Sequence, residues 1–118
     1  MFITNQINDI IVISITAILM NESQNLSAVN EEVGKYLNRN FRNFVIDLSS
    51  VNFINSSGLG VLMAASTTIR NRKGSLKFSS PTEKVKSVLL ITGLKDIFEI
   101  YKTTIQAIQS FTKKEELV

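Results

Sequence analysis

The 118-residue chain contains no cysteine and no histidine. Without cysteine there is no disulfide frame, no thiolate metal site and no cysteine nucleophile. Without histidine the commonest general base and the commonest metal ligand are missing, which removes the usual serine-hydrolase and zinc mechanisms. A serine activated by a lysine would need a motif that places the two together, and none is present. The chain therefore reads as a non-enzyme with no metal and no cofactor. Long apolar runs are scarce as well. The most apolar one, Ile10 to Met20, falls short of the roughly 20 residues that a membrane-spanning helix takes. Asp9 and no lysine or arginine precede it, so the basic flank of a secretory signal is absent. Its β-branched residues, Ile10, Ile11, Val12, Ile13, Ile15 and Thr16, predict a buried strand instead. No membrane insertion is expected, and the cytoplasm is the expected compartment.

The formal net charge of +3 is unevenly spread. Residues 1–50 carry three Lys/Arg against five Asp/Glu, whereas residues 51–118 carry ten against five. A nucleic-acid footprint would cluster its cations on one face, with aromatics between them. Here the basic residues are dispersed, so a solvated surface is expected and no direct nucleic-acid partner.

The order of elements follows from periodicity and breakers. Phe2 to Thr4 is expected to pair with the Ile10–Met20 strand through a turn at Asn5 to Asn8. Leu26, Val29, Val33 and Leu37 lie on one helical face, and Ser23 or Asn25 can cap that helix. Phe44 to Leu48 is the next strand, followed by a helix from Ser57 to about Arg72 that Gly74 is placed to stop. Ser75 to Ser79 reads as a strand. Pro81, the only proline, suits the first position of a third helix, which Gly93 ends. Ile97 to Tyr101 is a last strand and Thr103 to about Thr112 a last helix. The order ββαβαβαβα implies an α/β fold, with a mixed, mostly parallel sheet and helices packed on it. One domain over 1–112 is expected, with 113–118 a frayed tail.

The stretch between the central strand and the second helix carries the functional signal. Asn55-Ser56-Ser57-Gly58-Leu59-Gly60 sits where an open α/β sheet usually places its chemistry. A helix start there also favours a negative group. The plain reading is a serine N-cap, which one serine satisfies. The second serine and two glycines are left over, and glycine lets backbone approach a neighbour closely. A nucleotide loop is a weak alternative, since no third glycine and no Gly-Lys-Ser/Thr follows.

Ser56-Ser57-Gly58-Leu59-Gly60, in register after Val45-Ile46-Asp47-Leu48, together with Gly93-Leu94-Lys95-Asp96-Ile97-Phe98 before the last strand, resembles the STAS domain. The likeness is greatest to the free-standing bacterial anti-sigma factor antagonists, and through the order of elements it covers nearly the full chain. The resemblance implies a protein that binds an anti-sigma factor, itself a serine kinase, while unmodified. Phosphorylation of the first serine, Ser56 by position, would end the binding, and a phosphoserine phosphatase would restore it. Asn55, Ser56, Ser57, Gly58, Leu59 and Gly60 are then the expected partner-binding residues. Two positions depart from the family pattern. Asn55 stands where an acidic residue usually precedes the phosphorylated serine, and Ala17-Ile18-Leu19-Met20 replaces a Gly-x-hydrophobic-Asp turn. Glu22 is the acid placed to substitute for the lost turn carboxylate. The alternative is a STAS subunit that works without phosphorylation, as a scaffold in a larger regulatory or lipid-transport complex.

Overall fold

Successive side chains of a strand point to opposite faces, and the run Ile10–Ile15 is apolar at nearly every position. Such a strand must be covered on both sides. In the computed structural model, which describes residues 2–16, 19–20 and 24–116, helices supply that cover. The elements in chain order are β1 (Phe2–Ile7), β2 (Ile10–Ile15), β3 (Leu19–Met20), α1 (Gln24–Leu37), β4 (Asn43–Asp47), β5 (Phe53–Ile54), α2 (Ser56–Asn71), β6 (Ser75–Ser79), α3 (Glu83–Ile91), β7 (Glu99–Tyr101) and α4 (Thr104–Glu116). A 3-10 turn at Leu94–Asp96 joins α3 to β7.

The main sheet has five strands in the order β1-β2-β4-β6-β7. β1 is antiparallel to β2, and the other neighbours are parallel. On one face Ile11, Ile13, Phe44, Ile46 and Phe78 pack against Val29, Val33 and Leu37 of α1, Leu62 and Ile69 of α2, and Val85 and Leu89 of α3. On the other face Ile10, Val12 and Val45 meet Ala107, Ile108 and Phe111 of α4. Both faces of the central parallel strands are thus buried, as a parallel sheet requires. The α4 side also holds a buried cation. Lys77 is buried, donates to Ser110 Oγ at 2.7 Å, pairs with Glu99 at 3.2 Å and lies 4.3 Å from the centre of the Phe111 ring. A buried cation needs such partners.

The expected α/β class and mostly parallel sheet hold, with differences in the local elements. The expected single strand from Ile10 to Met20 is two pieces: β2 ends at Ile15, and Leu19–Met20 leaves the main sheet to pair in parallel with β5. β1 runs on to Ile7, so the turn tightens to Asn8–Asp9, with Asn8 at a φ of 56°. Asparagine tolerates that left-handed conformation better than most residues. α1 begins at Gln24, which puts Asn25 inside the helix; Ala17, Ile18, Glu22 and Ser23 lie outside the described residues. Pro81 precedes α3 and does not open it, because Thr82 is the cap and accepts from the Val85 N–H at 3.4 Å. Gly93, at a φ of 77°, follows α3 as expected. Ile97 and Phe98 precede β7. α4 continues to Glu116, past the expected end at Thr112, since Lys113 to Glu116 are all good helix formers.

Gly74 takes part in the expected helix stop, its N–H donating to the Ile69 carbonyl at 2.8 Å, and it has a second role. The left-handed residue after α2 is Lys73, at a φ of 61°. At Gly74 a Cβ would sit 2.7 Å from the Arg42 carbonyl oxygen and 2.7 Å from Ile69 Cγ2. Glycine is required there by close approach.

Candidate partner-binding site

α2 is anchored by one apolar stripe: Leu59, Val61, Leu62, Ala65 and Ile69 are buried, and Gly58 and Ser66 lie with them. Helical periodicity then turns Ser56, Gly60, Met63, Thr67 and Arg70 outward, and all five are exposed. The head of the helix is held from two sides. β5, with Ile54 buried, pairs with β3. Just before it, Val51 is buried, and its carbonyl oxygen accepts from Thr82 Oγ1 at 2.9 Å. Thr82 therefore caps α3 and ties it to the loop that leads into α2. Sequence reasoning missed Thr82; a threonine directly before the acidic first turn of α3 was its signal.

The structure also reassigns the cap of α2. Asn55, and neither serine, is the N-cap: its backbone is extended (φ −105°, ψ −173°), and its Oδ1 accepts from the Gly58 N–H at 3.0 Å. The Asn55 carbonyl takes the first helical bond, from the Leu59 N–H at 2.9 Å. Asparagine is as good a cap as serine, and standing one residue earlier it reaches the third helical N–H. Ser56 and Ser57 are consequently the first two residues of the helix, both exposed. Of the six residues singled out from the sequence, Ser56, Ser57 and Gly60 present themselves to solvent, Asn55 holds the turn, and Gly58 and Leu59 face inward. No acidic residue lies in the first turn of α2. The described carboxylate nearest to it in sequence is Asp47, whose Oδ1 accepts from the Ser49 N–H at 2.9 Å.

Two apolar side chains near the serines in sequence are exposed. Phe53, in β5, is 48% exposed, and Met63 is 47% exposed. Met63 lies two helical turns from Ser56 on the same face, about 10 Å along the axis. Ser56, Gly60 and Met63 thus share one exposed face of α2. No hollow among those described is lined by Ser56 or Ser57; the largest, about 570 Å³, lies between α3 and β7 and is lined by Pro81, Leu89, Ile100 and three lysines, among others.

A family model described as STAS domain matches residues 2–107. The chain belongs to the STAS domain family. A Thermotoga maritima protein provisionally named an anti-sigma factor antagonist is 34% identical over 80 residues, 68% of this chain and 71% of that one. The crystal structure of a Thermotoga maritima protein of the same provisional name superposes with a TM-score of 0.79 at 27% identity, covering 92% of each chain. The anti-sigma factor antagonist SpoIIAA in its unphosphorylated form superposes at 0.80 over 96% of this chain and 97% of its own, at 15% identity. That last likeness is one of fold. The STAS domain seen here keeps the serine pair at the head of α2, where the sequence motif put it.

Proposed function

We propose that this STAS domain is an anti-sigma factor antagonist of the cytoplasm that binds an anti-sigma factor through the exposed head of α2 and is released when Ser56 is phosphorylated. The observation that carries the reading is the division of labour at that head. Asn55 satisfies the cap, so the Ser56 hydroxyl is exposed and has no capping duty that a kinase would have to disrupt. A phosphoserine brings a charge of about −1.5 to −2. At its own helix start that charge is tolerated, with about 0.3–1 kcal/mol of attraction from the dipole. Buried in an interface fitted to a hydroxyl, it must shed water, and any like charge opposite it adds a penalty of several kcal/mol. Each 1.4 kcal/mol is about tenfold in affinity, so the same group is harmless to the fold and decisive for the complex. The kinase is the anti-sigma factor, a phosphatase resets the serine, and the chain itself performs no catalysis.

Phosphorylation-independent scaffolding is the second reading. It is favoured by the neutral Asn55, which leaves the first turn of α2 without an acid. Mass spectrometry of the protein from its native cells separates the two. Phosphate on Ser56, coupled with loss of a co-purifying anti-sigma factor, supports the switch. Phosphate on Ser57 alone refutes the assignment of Ser56, and no phosphate under any growth condition favours the scaffold.

A further inference from the structure

The two edges of the main sheet are built differently. β7 is short, Glu99–Tyr101, and bears charge at Glu99 and at the adjoining Lys102. Brevity and charge are the usual guards against pairing with another chain. β1 has neither: its six residues, Phe-Ile-Thr-Asn-Gln-Ile, include no charge, no proline and no glycine. One face of β1 is occupied, since Phe2 packs on the core and Thr4 Oγ1 donates to Glu32 of α1 at 2.5 Å. The other face carries Ile3, Asn5 and Ile7. α4 rests on β4, β6 and β7, and Ile3 and Ile7 remain 57% and 40% exposed.

The β1–β2 register shows which backbone groups are available. Ile7 and Ile10 close the ladder across the two-residue turn, so they exchange hydrogen bonds, and so do Asn5 with Val12 and Ile3 with Ser14. The N–H and C=O groups of Thr4 and Gln6 therefore point away from β2, along the open edge. An antiparallel copy of β1 can meet them with Thr4 opposite Gln6 of its partner. That register places Asn5 opposite Asn5 on the two-fold axis and Ile3 opposite Ile7 on both sides of it. Every exposed apolar side chain of β1 then finds another, and no like charges meet.

We infer that β1 is a self-association edge, pairing antiparallel with β1 of a second copy to join two sheets through a two-fold axis centred on Asn5. A one-strand contact belongs to the small, weak class of interfaces, so the dimer forms reversibly with concentration.

The absence of native cysteine makes the test direct. Asn5 lies in a non-hydrogen-bonded pair, where Cα atoms approach to about 4.5 Å, within disulfide range. Under mild oxidation Asn5→Cys is expected to form a disulfide-linked dimer at least tenfold faster than Ser87→Cys, an exposed control on α3. Thr4→Cys should behave as the control does. In sedimentation equilibrium the native chain should rise with concentration toward twice its 13.2 kDa mass, and Ile3→Lys should stay monomeric with an unchanged circular dichroism spectrum. Equal rates for the Asn5 and Ser87 variants, faster linkage through Thr4, or a native chain that is monomeric at millimolar concentration would each overturn the proposal.

Discussion

Gly60 gives the sharpest test of the α2 surface, because the fold and the proposed interface want opposite things from it. It sits inside a helix, is exposed, and a Cβ built on it meets nothing within 4 Å. Nothing in the fold calls for glycine there. Alanine in a helix interior is about 0.8–1 kcal/mol more favourable than glycine, so Gly60→Ala should stabilise the domain by roughly that amount. For a chain of this length the gain corresponds to roughly 3–6 °C in Tm. If a partner's surface closes on Ser56, Gly60 and Met63, the added methyl intrudes. Overpacking of that kind costs about 1–3 kcal/mol, or roughly 5- to 150-fold in Kd. Two measurements on one variant settle it: thermal or urea denaturation of the free domain, and calorimetric titration with the anti-sigma factor. Raised stability with weakened binding is the expected pair. Raised stability with unchanged binding would refute the placing of the partner over this turn of α2, and lowered stability would refute the account of Gly60 as open.

Gly74→Ala makes the opposing control: with backbone and side-chain atoms 2.7 Å from the new Cβ, it should destabilise by about 1–3 kcal/mol, read as a lower denaturation midpoint. Asn55→Ala should lose about 1 kcal/mol as the cap is removed, while Asn55→Asp keeps the cap and adds about 0.3–1 kcal/mol from a carboxylate at the helix start. Because Asn55→Asp restores charge without moving the turn, its rate of phosphorylation by the kinase should differ from the native rate; equal rates would mean that the family's acid is dispensable. Ser56→Glu should leave the unfolding free energy within about 0.5 kcal/mol of native, as an exposed substitution does, and weaken anti-sigma binding by at least tenfold, whereas Ser56→Ala should bind and resist release. Thr82→Val removes both the α3 cap and the bond to the Val51 carbonyl, and should cost about 1–3 kcal/mol in urea denaturation for leaving a buried acceptor unpaired.

What the chain disclosed before folding divides along a physical line. Burial repeats itself, so a strand such as β2 or a stripe such as Val29, Val33 and Leu37 announces itself through several residues at once. Capping does not repeat. It depends on which single oxygen reaches which single N–H, and at the head of α2 three consecutive residues, Asn55, Ser56 and Ser57, could each have served. Local chemistry could not rank them, and the expected serine cap gave way to Asn55. The close approach at Gly74 is hidden from the sequence for a similar reason: it comes from Arg42 and Ile69, and Arg42 lies more than thirty positions away in sequence. β3 and β5, at two residues each, are too short to show any period and exist only through each other. The serine motif itself was legible by resemblance to a family and not by energetics. At that head the structural duty falls on Asn55, Leu59 and Leu62. The proposed phosphorylation would change the charge of Ser56 by nearly two units while the Asn55 cap and the burial of Leu59 and Leu62 stay in place.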